Sequence, residues 1–357
     1  MLHRCVVLRI RSIVLSVCLL AAGTAWAAPA EKALRVGALY WSMNIPGQVA
    51  MRKGLEEEAA RINREAAQRG RLRVELIPRV AGDGAPGIER QIRQMEEMVR
   101  LKPDVIIVQP TDNAALAAPL KAANLAGIPV VAYDQYISGG KLAAYVTSDN
   151  HQAGYLDGEY LADRFPHDRP IRLILVEYPR VSSTVERLNG FLDALHDHGQ
   201  PYSVSMTYEA VDPQGGKLAG EAILRDFPAK GSVDAIFAVN DGGGLSVVDV
   251  LARAGRTEIL VASVDGDPTS VENIRKQRLT RIDTAQFCGP LGAEAMKAAY
   301  AIATGKPVAR QLLVPVFPIT AETLPRYPGW SGPIPAGFTK PWKARSPVWD
   351  GAVTGVK

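Results

Sequence analysis

A chain of 357 residues, 22% charged and 47% hydrophobic, is too long for one small core and too ordinary in composition to be disordered or fibrous. Its formal charge of +4 shrinks once Arg4, Arg9 and Arg11 are set aside in a leader, because 38 basic residues then stand against 37 acidic ones. A near-neutral chain has no electrostatic grip on nucleic acid.

Residues 1–11 are basic, residues 12–22 apolar, and Ala25-Trp26-Ala27 forms a small-x-small cleavage site. This pattern predicts a signal peptide over residues 1–27 and export to the periplasm. The apolar run is shorter than the roughly 20 residues that a membrane span needs, so cleavage is expected and not anchoring. Cys18 follows the bulky Val17 inside the apolar run, which speaks against a lipid attachment site. Cys5 and Cys18 leave with the leader; Cys288 alone remains, and no internal disulfide is possible.

From there strands and helices alternate. A strand is predicted over 34–40 and a helix from Pro46 to Gly70, with Val49, Leu55, Ala59, Ile62 and Ala66 on one face. A strand over 72–80 precedes a helix marked by Ile88, Ile92, Met95 and Val99. Strands follow at 104–108, 128–133 and 143–146, with a helix over 114–126 between the first two. A second run gives strands at 171–176, 204–208, 233–239, 258–264 and 280–285, separated by helices of ordinary length. A helix over 291–304 and a strand over 312–317 end it.

Two such runs predict an α/β protein of two doubly wound parallel-sheet lobes. From 318 the chain turns rich in proline, glycine and aromatics, with Trp330, Trp342 and Trp349. This reads as an irregular tail whose indoles settle in surface grooves of a lobe, or as a contact surface for a membrane partner.

Polar residues stand just past the apolar strands: Tyr40-Trp41, Asp134-Gln135, Glu177-Tyr178, Asn240-Asp241, Asp265 and Gln286. Strand carboxyl ends are where open α/β sheets take ligands, so two facing lobes would line one cleft with them. Carboxylates and amides exchange hydrogen bonds with neighbouring hydroxyls, and aromatic rings cover the C–H face of a sugar. The candidate ligand is small and polyhydroxylated.

The segments Val105–Asp112, Gly127–Asp134, Ser148-Asp149-Asn150, Glu186–Phe191, Ala238–Asp241 and Val264-Asp265-Gly266 occur in one order along residues 34–317. On these the chain resembles periplasmic sugar-binding proteins of the ribose/galactose type, exported relatives of the lactose-repressor ligand domain. The resemblance implies two lobes joined by three hinge crossings, near Ser148, Gln286 and Phe317. It implies an amino-terminal lobe of 34–147 plus 287–317, a carboxyl-terminal lobe of 148–286, and a tail over 318–357. It also implies ligand contacts at Asp134, Arg187, Asn240, Asp265 and Gln286, to which strand ends add Trp41, Gln135 and Tyr178. An ABC permease in the inner membrane is the implied partner, and the protein is expected to be a monomer.

Departures exist. Gly47 and Gln48 follow Pro46 where stacking aromatics are usual in the ribose type, and Gln135 replaces an arginine. The stretch Tyr40–Ile45 is similar to that of the autoinducer-binding branch, which works with a sensor kinase, but that branch has an arginine where Gln286 stands. The aromatic tail, absent from the shorter ribose-type proteins, motivates a second reading: a ligand receptor, for a sugar or an autoinducer-like molecule, acting through a sensor kinase or chemoreceptor.

The same residues admit other readings. Asp134, Asn240 and Asp265 would serve equally as helix N-caps, and Arg187 as a solvated charge beside Glu186. Gly82–Gly87 fits G-x-G-x-x-G, but it follows the second strand and holds Pro86, so it reads as a loop and not a nucleotide site. Metal-ligand spacings, G-x-S-x-G and H-E-x-x-H are absent from the sequence, so no cofactor, metal or catalysis is expected. Substituting Arg187 or Asp265 by alanine should abolish binding with little effect on the unliganded protein.

Overall fold

Strands and helices alternate through most of residues 33–356, the part that the computed structural model describes. The predicted leader, with His3, Cys5 and Cys18, falls outside the described residues. A first run comprises β1 (Leu34–Tyr40), α1 (Pro46–Arg69), β2 (Val74–Val80), α2 (Gly84–Leu101) and β3 (Val105–Val108). It continues through α3 (Ala117–Leu125), β4 (Val130–Tyr133) and β5 (Ala144–Ser148). A second run comprises α4 (Asn150–Arg164), β6 (Ile171–Glu177), α5 (Ser182–Asp197), β7 (Tyr202–Glu209) and α6 (Pro213–Asp226). Then come β8 (Ala235–Ala238), α7 (Asp241–Arg253), β9 (Leu260–Asp265), α8 (Pro268–Arg275) and β10 (Thr280–Gln286). The chain goes on through α9 (Cys288–Ala303), β11 (Gln311–Val314) and β12 (Val316–Ile319). Short strands β13 (Phe338–Thr339), β14 (Val348–Trp349) and β15 (Thr354–Val356) follow.

Two sheets result. The first has the order β15-β11-β5-β4-β3-β1-β2, the second β12-β10-β9-β8-β6-β7. Within these two sheets all neighbours are parallel except β15 on β11 and β12 on β10. In each sheet the first strand of its run lies inside the second, so the winding reverses beside β1 in one lobe and β6 in the other. At such switch points adjacent crossovers leave on opposite faces and open a crevice at the strand carboxyl ends.

Both faces of each sheet are covered at its centre, which is why the inner strands β3, β4 and β8 are apolar throughout and do not alternate with polar residues. In β3, Val105 and Ile107 join one buried cluster with α1 and α9, while Ile106 and Val108 join another with α2 and α3. The first of these clusters continues into the second lobe through Phe287, Val316 and Phe317. The lobes therefore share apolar contacts where the chain crosses between them.

It crosses after Ser148, after Gln286 and at Pro315. The predicted single strand over 312–317 is corrected here. Pro315 lacks an N–H for the ladder, and the run divides into β11 in the first sheet and β12 in the second. Val316 and Phe317, given to the amino-terminal lobe by the sequence, lie in the carboxyl-terminal one. Residues 84–87, expected as loop, form the first turn of α2, where Pro86 costs little because the first-turn N–H groups have no helical partner anyway.

The tail is not an appendage to one lobe. Trp342 and Trp349 are buried in the core, and the Trp349 Nε1–H donates to Val316 O at 2.7 Å. Beyond them β15 adds an antiparallel edge strand to the first sheet, so the tail touches both lobes.

Candidate ligand cleft

Each lobe turns its switch point toward the other across a cleft of about 830 Å3. The structure brings all eight sequence-chosen residues to it: Trp41, Asp134 and Gln135 from the first lobe, Tyr178, Arg187, Asn240, Asp265 and Gln286 from the second. Their placement follows from local rules. Seven stand at strand ends; Arg187 reaches in from the second turn of α5.

Two glycines seat Arg187. A Cβ on Gly154 would lie 1.7 Å from Arg187 O, and one on Gly190 would lie 2.0 Å from His151 O. Only glycine lets α4 and α5 touch backbone to backbone there. That contact sets Asn150 of α4 beside Arg187, whose Nε donates to Asn150 Oδ1 at 3.0 Å. Its Nη1 donates to Asp265 Oδ1 and to Val239 O, both at 2.9 Å. Arg187 is not the solvated surface charge of the alternative reading; it is 3% exposed.

The network continues to the crossings. Gln286 Nε2 donates to Asp265 Oδ1 at 2.8 Å, and Gln286 Oε1 accepts from Ser148 Oγ at 2.8 Å. Asn150 Nδ2 donates to Thr147 Oγ1 at 3.1 Å. Two of the three crossings are thus tied to Arg187 and Asp265 by hydrogen bonds. On the other lobe Gln109 Nε2 donates to Asp134 Oδ2 at 3.0 Å. The lobes also meet directly, with Gln135 Nε2 donating to Ser183 Oγ at 3.1 Å.

Asp134 and Asp265 have φ of 65° and 135°, backbone regions that non-glycine residues occupy only when their surroundings hold them. Neither caps a helix; Asp267 caps α8. Asn240 does cap, its Oδ1 accepting from Gly243 N at 3.2 Å while Nδ2 donates to Val211 O at 3.0 Å. Both oxygens of Asp241 are engaged as well, by Ser263 Oγ at 2.7 Å and Asp267 N at 2.8 Å. Asp241 therefore braces the loop after β9 and does not form a free carboxylate pair with Asp265.

Burial pushes the Asp134 carboxyl up to about 6, with Gln109 and Arg187 opposing and Asp265 adding repulsion. Burial also raises Asp265, against the pull of Arg187 and Gln286. Each of these three charged side chains keeps one atom without a hydrogen-bond partner among the described residues: Asp134 Oδ1, Arg187 Nη2 and Asp265 Oδ2. None is sealed from solvent, and all belong to residues lining the cleft. Two carboxylates beside one guanidinium disfavour an anion and suit adjacent hydroxyls, which donate to the first and accept from the second. Trp41 adds a ring to the same wall, and Cys288 reaches the cleft as a buried thiol that burial holds well above its usual range. Among the described residues no cluster of His, Cys, Asp or Glu has the form of a metal site.

Sequence reasoning missed Gln109, Asn150 and Trp330. Gln109 follows β3 directly, so the strand-end rule used elsewhere would have found it. Asn150 opens a helix and resembles a cap. Trp330 comes from the tail, far from any strand end.

The family model described as a periplasmic binding protein domain matches residues 36–307. The ribose import binding protein of Bacillus subtilis is 27% identical over 295 residues, covering 82% of this chain and 90% of that one. The D-allose-binding periplasmic protein of Escherichia coli is 25% identical, covering 72% and 80%. Among solved structures, an ABC transporter solute binding protein of Bacillus halodurans with bound myo-inositol superposes with a TM-score of 0.72 at 23% identity, covering 84% of this chain and 99% of that one. A periplasmic solute binding protein of Actinobacillus succinogenes with bound D-allose gives 0.68 at 25% identity, covering 82% and 99%.

Proposed function

Because this chain belongs to the periplasmic binding protein family, we propose that it is an exported solute-binding protein. It closes its two lobes on a small polyhydroxylated ligand, a monosaccharide or cyclic polyol, and delivers it to an ABC permease. The observation that carries this reading is the set of three unpartnered atoms, Asp134 Oδ1 on one lobe and Arg187 Nη2 and Asp265 Oδ2 on the other. A charge-assisted hydrogen bond contributes about 1.5–3 kcal/mol net, so a few of them hold a small polar ligand. Contacts from both lobes exist together only when the cleft is shut, so the ligand favours closure about the three crossings.

The role is binding without turnover, in the periplasm after removal of residues 1–27, as a monomer. The receptor reading was motivated by the aromatic tail; with Trp342 and Trp349 turned into the core, that motivation is gone.

Titration calorimetry with D-ribose, D-allose and myo-inositol tests the proposal. Saturable 1:1 binding of at least one, with the ligand recovered unchanged, is the expected result; no heat from any of them sinks it. Affinity should also depend on pH. Sugar hydroxyls donate to an ionised Asp134, whose carboxyl sits at about 6 without ligand. Binding is therefore expected to weaken about tenfold between pH 8 and pH 5. The effect on the unliganded fold has the opposite sign. With the folded value raised from 3.8 to about 6, Asp134 favours folding fully below about pH 4, and loses that contribution as pH rises through 6. Calorimetry across this range with equal affinity throughout would place the ligand away from Asp134.

A further inference from the structure

Past α9 the chain leaves the region matched by the family, which ends at residue 307, yet beyond β12 it returns to the cleft. Tyr327 and Phe317 stack with ring centroids 5.6 Å apart beside the crossing at Pro315. Three residues on, Trp330 contacts both lobes. Its carbonyl accepts from Gly289 N of α9 at 3.0 Å, and its indole Nε1 donates to Asp265 O at 2.6 Å. The indole also lines the cleft, together with Asp265, Gln286 and Cys288.

The bond to Asp265 O falls on a peptide that needs holding. Asp265 has φ of 135° and Gly266 of 78°, and Tyr327 Oη reaches Gly266 O at 3.4 Å. A Cβ on Gly266 would meet Ala285 Cβ at 2.4 Å and Tyr327 Oη at 2.8 Å. The tail therefore clamps the turn that aims the Asp265 carboxylate, and the same indole supplies an apolar surface next to it.

We propose that Trp330, carried by the carboxyl-terminal tail, is a specificity-determining residue of the cleft: its ring forms a ligand-facing wall and its N–H fixes the turn that aims Asp265. The inference rests on the reading of the cleft as a sugar site. Indole faces cover C–H surfaces of pyranose and inositol rings, so the wall selects by ring size and by the disposition of axial hydroxyls. Trp41 provides a second ring from the other lobe.

Titration of D-ribose, D-allose and myo-inositol into wild type, Trp330→Ala and Trp330→Phe tests this, with melting temperatures of the unliganded proteins recorded. Trp330→Ala is expected to weaken the best-bound of the three by about tenfold or more, and to change the allose-to-ribose affinity ratio by about threefold or more. Trp330→Phe keeps a ring and loses the N–H; it should retain the wild-type ratio while binding each sugar less tightly. A residue that only braces the tail would lower the melting temperature and leave the ratio untouched in Trp330→Ala, and that outcome overturns the proposal. Should the alanine variant not fold, wild-type affinity in Trp330→Phe overturns the clamp on Asp265. Wild-type protein that binds none of the three removes the sugar reading itself, which separates the two failures.

Discussion

Replacing Arg187 by alanine is expected to abolish sugar binding and to destabilise the unliganded protein. The guanidinium divides its donors between scaffold and ligand. Nε and Nη1 hold Asn150, Asp265 and Val239 O, which leaves Nη2 for hydroxyls. Losing two charge-assisted bonds to a ligand costs about 3–6 kcal/mol, or about 10²- to 10⁴-fold in affinity. Without Arg187 the carboxylates of Asp134 and Asp265 share a cleft with no cation between them.

The sequence-based expectation of an unchanged unliganded protein is revised for that reason. Breaking a buried ion pair costs about 3–5 kcal/mol, and the lower end applies because the Asp265 side chain is 23% exposed. Lysine is not a substitute, since a point charge cannot reach three acceptors as the planar fork does. Calorimetry and urea denaturation of Arg187→Ala check both parts; wild-type affinity would remove Arg187 from the site.

Lys340→Met is expected to be the most destabilising change in the tail. Glu159 on α4 is fully buried, and its partners come mostly from the tail. Lys340 Nζ lies 2.5 Å from Oε2, Trp342 Nε1 donates to the same oxygen at 3.0 Å, and Arg345 N donates to Oε1 at 3.2 Å. Trp342 then packs edge-on against Tyr160, with centroids 5.5 Å apart. Removing the ammonium strands a carboxylate in the core at a cost of about 3–5 kcal/mol, which for a lobe of this size lowers the melting temperature by about 10 °C. Adding Glu159→Gln should restore much of the loss, because the carboxylate that lost its partner is then neutral. Denaturation of the two single variants and the double variant checks this; additive losses would show that the pair does not couple.

Most of the fold was legible because buried parallel strands are unmistakable as short apolar runs, and most of them are followed by a helix. The cleft was legible for a related reason. In a doubly wound sheet the ligand edge is the carboxyl edge, so the residue past each strand is already a candidate. What escaped the sequence lies outside that grammar. The run 312–317 reads as one strand unless Pro315 is given its full weight as a break between sheets. The tail has no periodicity, so nothing in it distinguishes a tryptophan in the core, as Trp349 is, from one lining a cleft, as Trp330 does. Asn240 was chosen as a ligand contact with N-capping as the alternative; the structure shows the cap, and its lining position leaves the contact as a proposal.

A crystal structure of the protein with the sugar that calorimetry selects is the most direct measurement. One sugar molecule should lie between the lobes, with hydroxyls within about 3.2 Å of Asp134 Oδ1 and of Arg187 Nη2 or Asp265 Oδ2. A sugar held by one lobe alone, or bound away from these atoms, would contradict the mechanism of closure proposed here.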